Sequence, residues 1–169
     1  MTRDWPWRET QGIRRVSITH SGTLLAGYLA FVWLASPALA GLGGDYDSVR
    51  ADSAKLKGQL MSTGMLNYDR HIITTGSGTV ILEYASHSGK VFSVRWHGSL
   101  PPDLRQLFGE YFNSLTSAEA AQSRPGGHRQ LRIQQPDFVV QASGHLREFQ
   151  GSAYVPSLVP IGVSVADLQ

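Results

Sequence analysis

Apolar and polar residues alternate through TVILEYA (residues 79–85) and again through KVFSVRWHG (residues 90–98), on either side of Ser86-His87-Ser88-Gly89. A period of two predicts half-buried β-strands, and a three-residue loop ending in glycine predicts a hairpin between them. With the loop at residues 87–89, Ser86 pairs with Lys90. Counting outward sets Tyr84 opposite Phe92, Leu82 opposite Val94 and Val80 opposite Trp96. The other face then carries Glu83 with Ser93 and Ile81 with Arg95. A slip by one residue mixes apolar and polar partners, so turn chemistry and side-chain pairing favour the same register. YDRHIITT (residues 68–75), rich in β-branched residues, supplies a strand before this hairpin, turned at Gly76-Ser77-Gly78.

Farther along, Leu104, Leu107, Phe108, Tyr111, Phe112 and Leu115 recur at helical spacing. Pro101 and Pro102 suit the first turn of a helix and Asp103 its positive end. Gly109 lies inside this pattern and marks either a close approach to the sheet or a kink. RQLRIQQ, PDFVVQA and HLREFQGSAYV then predict three more strands, the last two turned at Ser143-Gly144. QSRPGGH (residues 122–128) reads as a surface loop. The tail from Pro156 docks on the core through Leu158, Val159 and Ile161. A short helix ahead of the strands is capped by Asp47 or Ser48 and stopped at Gly58, after a flexible start at Gly41, Gly43 and Gly44.

The predicted fold is therefore α+β: an antiparallel sheet of hairpins with one main amphipathic helix packed on it. The order helix, three strands, helix, three strands also fits a duplicated αβββ unit, although any two hairpins share part of that likeness.

The first forty residues are set apart. Arg3, Arg8, Arg14 and Arg15 precede an uncharged stretch, LLAGYLAFVWLA, and then SPALA with small residues at 38 and 40. This is the order of a secretory signal peptide, cut between Ala40 and Gly41, leaving residues 41–169 as one domain. An uncleaved anchor needs about 20 apolar residues, more than this stretch supplies. Arg14-Arg15 is followed by VSIT, which favours the general secretory route over the twin-arginine route. No stable membrane span is expected once the leader is gone.

Removing the leader also changes the charge. The chain holds 15 basic and 13 acidic residues; the leader takes four Arg with Asp4 and Glu9, leaving 11 of each. The basic pI belongs to the leader, and nucleic-acid binding loses its argument. With no Cys, the chain has no disulfide framework, thiolate site or Cys nucleophile.

The candidate chemistry is sparse. His71, His87, His97, His128 and His145 form no HxxxH or HExxH pattern, so no metal or other cofactor is expected. There is no GxSxG, and the Gly76–Gly78 and Gly126-Gly127 turns lack the Lys and Ser/Thr of a phosphate loop. Glu83, Asp137 and Glu148 are acids without a demonstrated cleft. The polar strand residues Glu83, Arg95, His145 and Arg147 remain as candidate binding residues, against the plain alternative of a wet sheet face.

SGTVILEY, GKVFSVRWHG, PDLRQLFGEYF, PDFVVQASGHLREFQGSAYVP and PIGVS together resemble a family of exported proteobacterial proteins known only as domain of unknown function 2844. The resemblance implies export and a single small domain, and carries no activity or site residue. The αβββ order is also similar to small periplasmic PepSY-type peptide-binding or inhibitor modules. The leading expectation is a non-enzymatic binding or accessory module of the cell envelope, with an envelope protein or peptide as partner. Its contact surface is expected around Glu83 and Arg95 or on the hairpin at residues 143–147. The rivals are a periplasmic hydrolase using His145 or His97 with a nearby acid, and a structural envelope protein without a specific ligand.

Overall fold

The computed structural model describes residues 41–121 and 130–168; the predicted leader and the loop at 122–128 lie outside them. Seven antiparallel strands form one sheet: β1 (Gln59–Gly64), β2 (Asp69–Thr74), β3 (Val80–Ala85), β4 (Val91–Gly98), β5 (Gln130–Gln134), β6 (Val139–His145) and β7 (Glu148–Tyr154). Their order across the sheet is β1-β2-β3-β4-β7-β6-β5. Two meanders thus meet through their last strands, β4 and β7. The expected α+β architecture is present. The first meander has four strands rather than three, because β1 follows the first helix and pairs with β2.

The β3–β4 turn falls where the loop chemistry placed it. Ser86 N donates to Lys90 O at 2.8 Å, and Gly89 takes φ +88°. The register beyond it differs from the expectation. Tyr84 pairs with Ser93 but Ala85 pairs with Val91, so Phe92 is an extra residue in a β-bulge. The bulge keeps Phe92 with Tyr84 but shifts every later pair by one: Leu82 faces Arg95, and Ile81 faces Trp96. Bulges of this kind bend a strand and re-aim its side chains. Here Phe92 turns to the tail's side of the sheet, while its carbonyl accepts from Val155 N at 3.0 Å.

The helices cover one face. α1 (Tyr46–Lys55) is capped by Asp45, whose carboxylate accepts from Ser48 N. It ends in a Schellman motif. Lys57 N donates to Ala54 O, and Gly58 N to Ser53 O. The left-handed residue is Lys57, at φ +50°, and not the expected Gly58. The predicted long helix is broken: α2 (Leu104–Phe108) and α3 (Phe112–Ala121) flank a single 3₁₀ turn. The break is at Gly109, whose φ of +51° and ψ of −122° end α2. The core joins Ile73, Ile81, Val94, Trp96, Val140 and Ala153 of the sheet to Leu107, Phe108 and Leu115 of the helices. Trp96 and Phe108 ring centroids lie 5.7 Å apart.

A smaller cluster sits on the opposite face. Tyr84 and Phe92 pack there against Leu168, Leu158, Val159 and Val165 of the tail. Ile161, expected in this contact, is almost fully exposed. The start of the domain is tied down rather than loose. Gly43 N donates to Val91 O, Val91 N to Gly44 O, and Leu42 is fully buried. The second hairpin turns at Leu146-Arg147, not at Ser143-Gly144, which lie inside β6. Arg147 takes φ +62° there.

Candidate binding face

The tail covers only one end of the sheet's second face. Across β3, β4, β7, β6 and β5 lies an open concavity of about 720 Å³, lined by Arg95, His97, Arg132, Gln141, Ser143 and Gln150 among others. Cross-strand pairing arranges these side chains in two rows. One row runs Leu82, Arg95, Ser152, Gln141, Arg132 from β3 to β5. The next runs Val80, His97, Gln150, Ser143, Gln130. Arg95 and Arg132 are separated by three strand spacings, about 14 Å at the usual inter-strand distance. None of the residues lining the concavity is Asp or Glu. Two guanidiniums flank a hydroxyl and an amide. That combination suits an anion flanked by hydroxyl groups.

Of the four candidate binding residues Glu83, Arg95, His145 and Arg147, only Arg95 lies here. Glu83 points to the helix side, because it pairs with Val94 and not with Ser93. It is fully buried and cannot share a surface with Arg95. The expected face around both residues therefore does not exist, and the bulge at Phe92 is the reason. His145 pairs with Glu148 at the tip of the β6–β7 hairpin, where both are exposed, and Arg147 is in the turn beside them. His97 is exposed on the concave face. Among the described residues, no group of three or more His, Asp or Glu side chains is arranged to hold a metal ion. No described helix is long and apolar enough to cross a membrane.

A family model described as "Protein of unknown function (DUF2844)" matches residues 38–168. This chain belongs to the DUF2844 family. No curated protein and no solved structure matches it.

The DUF2844 domain also holds a second polar cluster, on the helix side. Asp52 of α1 and Glu83 of β3 are both fully buried, and each carboxyl acts on the ionisation of the other. Two neighbouring buried carboxyls do not both ionise readily, so one of them keeps a proton. Burial, and then the neighbouring Asp52, hold the Glu83 carboxyl well above its ordinary range. Burial also raises Asp52, against an opposing hydrogen bond from Gln106. Gln106 Nε2 of α2 donates to Asp52 Oδ1 at 2.9 Å and to the Asp52 carbonyl at 3.2 Å. The cluster thus links α1, the sheet and α2.

Beside it, His71 pairs in register with Glu83 and is 2% exposed. Its Nδ1 lies 2.8 Å from Ser62 Oγ. Burial lowers its pKa, so the ring is neutral at neutral pH. The Tyr46 ring meets it edge-on, and the Tyr46 hydroxyl bonds Asp69.

Sequence reading missed Gln141, Gln150, Ser152 and Arg132 as a group. The signal was there in the alternation of RQLRIQ and VVQAS, which places a polar residue on one face at every second position. It did not single out His71 as buried and did not pair Asp52 with Glu83. No local pattern connects residues 31 positions apart on different elements.

Proposed function

We propose that this DUF2844 protein is an exported, non-catalytic binding module of the bacterial cell envelope. Its ligand is extended, negatively charged and rich in hydroxyl groups, of the kind an acidic glycan presents. The observation that carries this reading is the row Arg95, Ser152, Gln141, Arg132, set across four strands in an open concavity. Guanidinium forks take carboxylates or sulfates bidentately. Amides and hydroxyls between them exchange hydrogen bonds with hydroxyl groups.

The strands beneath are β4, β7, β6 and β5, of which the first three lie inside the sheet with partners on both sides. A peptide has no free backbone edge to pair with over most of this surface. Recognition here is by side chains. Export is supported by the signal-like leader and by a family match that begins at residue 38, beside the expected cut.

Titration with oligogalacturonate and with neutral dextran tests the reading. Saturable binding of the acidic oligomer, weakened by salt and by Arg95→Ala, is expected, with no binding of dextran at the same concentrations. Acidic-oligomer binding that Arg95→Ala and Gln141→Ala leave unchanged would move the site off this face.

A further inference from the structure

A hydrogen-bonding deficit surrounds the buried acids. Asp52 Oδ2, Glu83 Oε1 and Glu83 Oε2 are all buried and accept no hydrogen bond from an N–H or hydroxyl donor. One proton shared between the two carboxyls satisfies part of this deficit. Buried acceptors left without donors are costly, and charged ones more so.

Gly41 packs against the backbone carbonyls of Gln106 and Leu107, and the Gln106 side chain reaches Asp52; the Gly41 backbone N–H favours the ionised form of Asp52. Gly41 is held in place by its surroundings. It is buried and takes φ +87°, and a Cβ added to it would fall 2.2 Å from the Leu107 carbonyl oxygen. Leu42 N donates to that same carbonyl at 2.8 Å. Gly41 therefore sits at the last turn of α2, where carbonyls carry partial negative charge, beside Gln106, whose side chain holds the buried Asp52 carboxyl. Lys55, on α1, brings a positive charge to Asp52, and Gln106 is neutral.

We infer that cleavage between Ala40 and Gly41 completes the fold, by converting the Gly41 amide into an ammonium that forms a buried ion pair with Asp52. Hydrolysis adds one water across the peptide bond. It leaves a carboxylate on Ala40 and an ammonium on Gly41. An amide offers one hydrogen and an ammonium three, so the cut supplies two new donors beside buried carboxyl oxygens that one shared proton leaves partly unsatisfied. The charge also offsets the cost of burying Asp52 ionised, while Glu83 keeps its proton and donates it to Asp52. The new terminus serves as a structural latch joining α1, α2 and β3. This inference rests on the export reading, because it needs the cut at that bond.

The test starts from the protein purified from the envelope. Its first residue is read by mass spectrometry, and its α-amine is acetylated near pH 7, where lysines are largely protected by their higher pKa. The expected first residue is Gly41, with an amine acetylated at least ten-fold more slowly in the folded protein than in urea. A serine inserted between Ala40 and Gly41 leaves the cut after Ala40 but displaces the ammonium. It is expected to raise the unfolding equilibrium constant at least ten-fold with Asp52 present, and to have little effect in Asp52→Asn. A first residue other than Gly41 would overturn the cleavage site on which the latch depends. A Gly41 terminus that reacts as fast folded as unfolded, or tolerates the serine, would overturn the latch and leave export standing.

Discussion

Gly151 of β7 lies directly across from Trp96 of β4, and the indole occupies the space a side chain at 151 would need. A Cβ there would fall 2.2 Å from Trp96 Cζ2. The two meanders join at this pair of strands, so Trp96 reaches Phe108 only because its partner has no side chain. Gly151→Ala is expected to destabilise the domain by about 1–3 kcal/mol through forced repacking. Urea unfolding measures this. Wild-type stability in that variant would mean the indole is seated elsewhere.

The buried carboxyl pair predicts how stability follows pH. The Glu83 carboxyl is raised in the folded state, so its contribution is full below the ordinary glutamate range. It is lost as pH rises from that range toward the folded value. His71 acts with the opposite sign. Its lowered pKa makes folding less favourable as pH falls below the ordinary histidine value. Glu83→Gln keeps a donor for Asp52 and needs no proton. Its stability is expected to decline less between pH 5 and pH 8, about the span separating carboxylate from α-amine titration. Thermal unfolding across that span checks it, and an unchanged slope would show that Glu83 titrates normally.

Lys57 holds a left-handed conformation at the end of α1 that costs a residue with a Cβ about 1–2 kcal/mol. Lys57→Gly removes that cost and adds some unfolded-state entropy. A net gain of about 0.5–1 kcal/mol is expected, seen as a higher urea midpoint with an unchanged slope. Gly58→Ala should do the reverse, because its Cβ would meet Ile73 Cγ2 at 2.5 Å.

Arg95 separates recognition from folding. It is half-buried on the concave face and outside the apolar clusters. Arg95→Ala is expected to change stability by no more than about 0.5 kcal/mol. Its affinity for an acidic oligosaccharide should fall at least ten-fold, the effect of losing about 1.4 kcal/mol. A large loss of stability would recast Arg95 as a structural residue.

Period and turn chemistry made much of this fold legible. The alternation of residues 79–85 and 90–98 located β3 and β4, and Gly89 located their turn. What sequence could not show was the bulge. Phe92 is apolar and fits either count, and only the packing of the tail against Tyr84 and Phe92 decides that it is extra. That one residue exchanged the faces of Leu82 and Glu83, and with them the expected site. β1 was missed because QLMSTG is exposed along its whole length and shows no buried alternation. Gly109 was recognised as anomalous, but an intact helix and a broken one share the same apolar spacing. The Leu146-Arg147 turn was hidden because Ser143-Gly144 offers the stronger turn signal, while the register of β6 and β7 outweighs it.

Photo-crosslinking in the intact envelope addresses the central claim most directly. A benzophenone side chain is placed at position 141 on the concave face, or at position 50 on the exposed side of α1. An adduct of anionic glycan is expected from position 141 and none from position 50. Equal labelling from both positions, or labelling from position 50 alone, would contradict it.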